Sequence, residues 1–214
     1  MVNNARSLLV LFGEQWTVLQ HESRAFRWAT TPLKGNMREC FELLGAQRMA
    51  KPTAEEVMSD ATWLLTQMRS IQLATLGPKT TPQASYAPFV RVDGAIYVYL
   101  SRLAQHAQNV RRTAALGAML VRDEVDCDEI FARPRLLLEC ATIEHARDSE
   151  RFVRVLDCFE ARFGDTAATV RELTDFSLFC LRPFAARLVT GFARAVDLDD
   201  DALRTLFGDA FDAP

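Results

Sequence analysis

The chain has 214 residues and a formal net charge of −3, with 49% hydrophobic and 25% charged residues. That composition excludes disordered, collagen-like and disulfide-scaffold classes, and a mildly acidic chain lacks the clustered cations that general nucleic-acid binding needs. The longest apolar run, Ala114 to Val121, is far short of the ~18 residues of a membrane span, so the expectation is a cytoplasmic protein without membrane or nucleic-acid partners.

Residues 1–48 carry two tryptophans, Trp16 and Trp28, and no sustained periodicity. They read as an N-terminal extension of short helical pieces, or as an over-called start, ahead of a domain spanning 49–214. Thr53 and Glu56 have the spacing of a capping box. The helix they open shows Val57, Ala61, Leu64, Leu65 and Met68 at helical intervals.

From Ile71 the pattern turns to short β runs. Ile71 to Leu76 is a strand, Gly77 to Pro82 is turn chemistry, and Gln83 to Val92 is a second strand. Asp93-Gly94 is a strong hairpin signal, returning the chain through Ala95 to Leu100. Ser101 then caps a helix to about Arg112, followed by a strand from Leu116 to Arg122. After an acidic loop, Phe131 to His145 reads as one long, bent strand and Asp148 to Phe163 as a helix. Phe176 to Leu181 and Arg187 to Val196 read as two strands joined by Arg182-Pro183-Phe184. A final acidic helix starts near Asp199, with Leu203, Leu206, Phe207 and Phe211 on one face. Short links favour antiparallel pairing. The fold class is mainly antiparallel β with flanking helices (α+β), closed into a small barrel.

Four stretches carry candidate chemistry. In Ser85-Tyr86-Ala87-Pro88 the proline marks an edge or bulge, and two hydroxyls stand beside it. Tyr86 reads either as facing a ligand or as half-buried in the barrel wall. Ser101 to Asn109 runs from a strand into a helix N-terminus, where unpaired N–H groups favour an anion, with Gln105 and His106 on the first turn. Arg133 and Arg135 alternate along the expected strand and would share a face, aimed at an anionic ligand or at the preceding acidic loop. Gly191-Phe192-Ala193-Arg194 puts a glycine inside a strand, the mark of a bulge. Five cysteines (Cys40, Cys127, Cys140, Cys158, Cys180) show no metal-ligand spacing, so they read as reduced thiols with no metal site. No nucleophile triad or phosphate loop is present.

Taken together, Leu73-Ala74-Thr75-Leu76, Ser85-Tyr86-Ala87-Pro88, Ile96 to Ser101, Leu103-Ala104-Gln105-His106 with Asn109, Arg133-Pro134-Arg135-Leu136 and Gly191-Phe192 resemble the HugZ-type heme-utilisation family. That family is a branch of the pyridoxamine 5′-phosphate oxidase-like, FMN-binding split barrels, and the resemblance runs from about residue 53 to about residue 200. It implies a split β-barrel homodimer with heme or FMN in a cleft between subunits. Ser85, Tyr86, Ser101, Gln105, His106, Asn109, Arg133 and Arg135 would lie around the cofactor, and Arg135, near the iron-bound ligand, would be the catalytic residue. Heme-degrading members place the axial histidine on a C-terminal tail, whereas this sequence has no histidine after His145. Three readings follow. The first is heme or tetrapyrrole binding, extending to oxygen-dependent heme degradation. The second is an FMN-dependent oxidoreductase, and the third a non-catalytic carrier or sensor.

Overall fold

The computed structural model describes residues 7–12, 15–21, 28–32, 52–191 and 194–208. The chain divides into two compact units, Met1–Lys51 and Pro52–Pro214. In the first, β1 (Ser7–Phe12), β2 (Gln15–His21) and β3 (Trp28–Pro32) form an antiparallel sheet in the order β1-β2-β3. The described residues of this segment are therefore strands, not the helical pieces expected; Cys40 lies outside the described residues.

The second unit opens with α1 (Ala54–Gln67). Its capping box forms as expected: the Glu56 N–H donates to Thr53 Oγ1 at 3.2 Å, and the Thr53 N–H to Glu56 Oε2 at 2.8 Å. Next come β4 (Ser70–Leu76), β5 (Pro82–Val92), β6 (Ala95–Ser101), α2 (Gln105–Thr113), β7 (Ala115–Val121) and β8 (Arg135–His145). The chain continues through α3 (Glu150–Phe163), α4 (Asp165–Arg171), β9 (Phe176–Gly191), β10 (Arg194–Asp197) and α5 (Asp200–Phe207).

All pairings are antiparallel, in the order β10-β9-β6-β5-β4-β7-β8, and a β8–β9 pairing closes the sheet into a barrel. The period-2 pattern fixes which side chains enter it. Ile71 and Leu73 of β4, Leu116, Ala118 and Leu120 of β7, and Leu136, Leu138 and Cys140 of β8 point inward and are buried. They join one core with Val57, Ala61, Leu64 and Leu65 of α1 and Leu203, Leu206 and Phe207 of α5. A second core forms where Phe152, Val155, Leu156 and Phe159 of α3 cover Tyr97, Tyr99, Leu178 and Cys180 on the outer side of β6 and β9.

The Asp93-Gly94 hairpin closes with φ of 51° and 80°, the left-handed pair a two-residue turn demands. Glycine is needed at position 94 for a second reason: a Cβ there would sit 2.5 Å from the Phe207 carbonyl oxygen.

Three expectations are corrected. Ser101 does not cap α2: the chain spends three more residues turning, and Ala104 takes the N-cap position. The stretch from Phe131 is not strand throughout: Ile130–Ala132 forms a 3-10 turn, and pairing starts at Arg135, directly after Pro134, which has no N–H to give a ladder. The two C-terminal strands joined by Arg182-Pro183-Phe184 are one 16-residue strand, β9. Glu139 pairs with Ala185 and Cys140 with Pro183, so a bulge at Phe184 accommodates the proline without ending the strand.

Candidate functional site

The site is built where α2 packs against the β4–β5 hairpin. β4 reads Ile71, Leu73, Thr75 along its inward face, and β5 reads Gln83, Ser85, Ala87; the polar members fall at the end of the barrel that α2 covers. Thr75, Gln83, Ala84, Ser85, Gln105 and His106 line a cavity of about 410 Å³ there. The hydrogen-bonded ladder of α2 begins with the Gln108 N–H donating to Ala104, so the three amides before it have no partner within the helix. Ala104 supplies no side-chain cap and the first turn has no acid, which leaves the positive end of the helix available. Burial lowers the pKa of His106 below its ordinary value, so the imidazole is neutral near pH 7 and acts as a hydrogen-bonding group.

Ser85 Oγ is buried and has no hydrogen-bond partner among the described residues. An orphaned hydroxyl at a cavity wall is the signature of a missing polar ligand or water. Gln72 Oε1 is in the same condition. It lines a larger, shallow concavity of about 860 Å³ across the outer face of β4, β7, β8 and β9, and this concavity shares Ala84 and Ser85 with the smaller cavity. Its floor is set by register: Ala84 pairs with Ala74, and Ala74 with Gly117. Three small side chains in a row leave room for a flat group.

Asn109 is fully buried beneath the small cavity. Its Nδ2 donates to Thr75 Oγ1 at 3.1 Å and to Gln83 Oε1 at 2.6 Å, and its Oδ1 accepts from Gln105 Nε2 at 3.1 Å. It ties α2 to both strands. Thr75 and Gln83 were not singled out by sequence reasoning as site residues; the signal that could have found them is a polar side chain in the inward phase of each strand.

The remaining candidates are placed elsewhere. Ser101 donates to Asp175 Oδ2 at 2.7 Å and accepts from the Leu103 N–H, so it shapes the entry to α2. Tyr86 is 68% exposed on the outer face of β5, beside Gln72 in register, and is not half-buried. Arg133 lies outside β8, pairs with Glu124 at 3.0 Å and donates to the Arg122 carbonyl, so it does not share a strand face with Arg135. Arg135 begins β8, and its guanidinium donates to the Arg133 carbonyl at 3.0 Å. The structure thus unites Ser85, Gln105 and His106 over Asn109, and sets the two arginines apart. Ala74 pairs with Gly117 at the α2 end, while Arg135 pairs with Val121 four residues further along β7, about 13 Å at ~3.3 Å per residue. Of the Gly191-Phe192-Ala193-Arg194 stretch, Phe192 and Ala193 lie outside the described residues; Gly191 and Arg194 pair across the β9–β10 turn, beside a register shift. Among the described residues no cluster of metal-ligating side chains is present, and no helix is long and apolar enough to cross a membrane.

Comparison with known proteins agrees with this architecture. The family model described as pyridoxamine 5′-phosphate oxidase matches residues 61–190. A Vibrio cholerae protein named heme oxygenase HutZ is 34% identical over 137 residues, which is 64% of this chain and 78% of that one. A crystal structure of HutZ, described as the heme storage protein of Vibrio cholerae, superposes with a TM-score of 0.57 at 31% identity, covering 59% of this chain and 89% of HutZ. The crystal structure of Campylobacter jejuni ChuZ gives a TM-score of 0.68 over 94% of this chain and 82% of its own; at 22% identity it speaks for the fold.

Proposed function

The chain belongs to the pyridoxamine 5′-phosphate oxidase family, and from that membership we propose that it is a heme-utilisation protein that binds heme in a cleft between two copies of itself. The observation that carries this is the 34% identity to the Vibrio protein named heme oxygenase. The site's own chemistry fits the group. The row Ala84, Ala74 and Gly117 offers a floor against which a macrocycle lies, and the adjoining cavity offers donors for a carboxylate: the Ser85 hydroxyl, His106 and the first amides of α2. Gln105 lines that cavity and donates to Asn109 Oδ1 beneath it.

Two copies are invoked because one chain separates Arg135 from the donors of the α2 cavity. Arg135 and the α2 cavity lie toward opposite ends of β7. The outer sheet face between them exposes Leu137 (37%) and Phe184 (57%) beside Glu139 and the Arg187–Asp197 ion pair. Pairing two such faces would cover this surface and bring the Arg135 of one copy toward the α2 cavity of the other. When bound, heme supplies the redox chemistry that activates oxygen. The protein's residues orient the ring, neutralise its carboxylates and exclude water from it.

The test is a hemin titration followed by absorbance, with size-exclusion chromatography alongside. Saturable binding with a shifted Soret band, by a dimer, is expected; absence of a shift would end the heme reading. Turnover of the bound heme with oxygen and ascorbate then separates a degrading enzyme from a carrier. A second reading, FMN in the same cavity, is favoured by the family match and by the uncapped helix N-terminus that faces the cavity. A flavin spectrum on the purified protein would establish it.

A further inference from the structure

Asn109 cannot touch a ligand, since its side chain is fully buried. It can determine what the ligand meets. A side-chain amide presents a donor at one end and an acceptor at the other, and which end faces which neighbour is dictated by the surrounding network. Here the network contains one group that can only donate. Arg112, at the end of α2, is held by the Leu76 carbonyl and places a guanidinium N–H 3.4 Å from Asn109 Oδ1. That contact requires oxygen at this end of Asn109, so nitrogen faces Thr75 and Gln83. Gln83 must then offer its own oxygen, Oε1, to Asn109 at 2.6 Å, which leaves Nε2 as the free end of an amide on a side chain that lines the cavity. With Asn109 reversed, Arg112 would meet an amide N–H, Gln83 would turn over, and the cavity would face an acceptor.

We propose that Asn109, keyed by Arg112, fixes the orientation of the Gln83 amide and thereby makes the α2 cavity select a hydrogen-bond-accepting oxyanion. Asn109 is a positioning residue, not a contact. The inference rests on the reading that this cavity receives the anionic group of the cofactor. That chemistry is shared by a heme carboxylate and a flavin phosphate.

Paired ligands isolate the anionic group: hemin against hemin dimethyl ester, and FMN against riboflavin. Whichever pair the wild-type protein binds gives an affinity ratio, acidic form over neutral form. In Asn109→Asp the substituted carboxylate accepts from Gln83 Nε2 and turns Oε1 to the cavity, so the ratio falls about tenfold, the loss of one charge-assisted hydrogen bond. Part of any fall comes from the added negative charge. In the Gln83→Met background that part alone remains, and Asn109→Asp lowers the ratio by about threefold or less. An equal fall in both backgrounds overturns the proposal. Gln83→Glu, on the cavity wall, keeps the test open should the buried variant fail to fold: it too must abolish the preference, and a retained ratio overturns the proposal. If wild-type protein distinguishes neither pair, the oxyanion reading of the cavity fails instead.

Discussion

Ser101 and Asp175 are 74 positions apart and share a 2.7 Å hydrogen bond, from the Ser101 hydroxyl to Asp175 Oδ2. The Arg102 N–H donates to the Asp175 carbonyl at 2.7 Å, so side chain and backbone together clamp the β6–α2 turn to the start of β9. The position of α2, and hence of Gln105 and His106, depends on that clamp. Ser101→Ala is expected to lower stability by ~1–2 kcal/mol, read from the urea midpoint. Cofactor affinity should fall as well, although the hydroxyl lines neither concavity.

Sequence alone places Ser101 near the site without revealing this role. Its partner lies far along the chain, and pattern reading has no access to that contact. The elements that were legible have local causes. Asp93-Gly94 demands a hairpin because two consecutive left-handed residues are needed, and Thr53 with Glu56 demands a helix start because the two side chains cap each other. The elements that were misread depend on pairing across the sheet. Pro183 looks like a break until β8 is laid beside it and a bulge takes up the extra residue. Arg133 looks like a strand residue until Glu124 and the Arg122 carbonyl claim its guanidinium. In the site, the side chains on one hairpin and one helix were readable. The network under them was not, because Asn109 joins α2 to positions 26 and 34 residues earlier.

The two arginines should separate under mutation. Arg133 pairs with a Glu124 that is 69% exposed, so Arg133→Ala should cost at most ~1 kcal/mol of stability and leave cofactor binding nearly unchanged. Arg135 donates to the neighbouring carbonyl of Arg133 and faces outward from β8. Arg135→Ala should weaken binding of heme by ~1.5–3 kcal/mol, the worth of a hydrogen bond to a charged group. Parallel hemin titrations of the two variants check this; equal affinities would remove Arg135 from the site.

Gly94→Ala tests the join between the β5–β6 hairpin and α5. The substitution puts a Cβ on a residue at φ +80° and within 2.5 Å of the Phe207 carbonyl oxygen. Strain and contact add, and the loss should exceed ~2 kcal/mol. Phe207 is fully buried in the barrel core, so the damage should spread to α5, seen as faster amide exchange across Asp200–Phe207.

The pH dependence of stability follows from two histidines. Burial lowers the pKa of His106, and burial followed by the charge of Arg151 lowers that of His145. A histidine whose folded-state pKa is depressed binds its proton more readily when unfolded. Its contribution is therefore complete above the unfolded value of about 6.5 and is lost as pH falls through the folded value. Asp93, held down first by its hydrogen bond from Arg151, and Asp197, held down by Arg187, act in the same direction but in the lower carboxylate range. Urea midpoints should thus stay level between about pH 7 and pH 8 and, on the acid side, decline first between about pH 6.5 and pH 5, before any carboxylate titrates. His106→Gln with His145→Gln should flatten that first decline and spare the acid one. A first decline unchanged in the double variant would assign it to groups other than these two imidazoles.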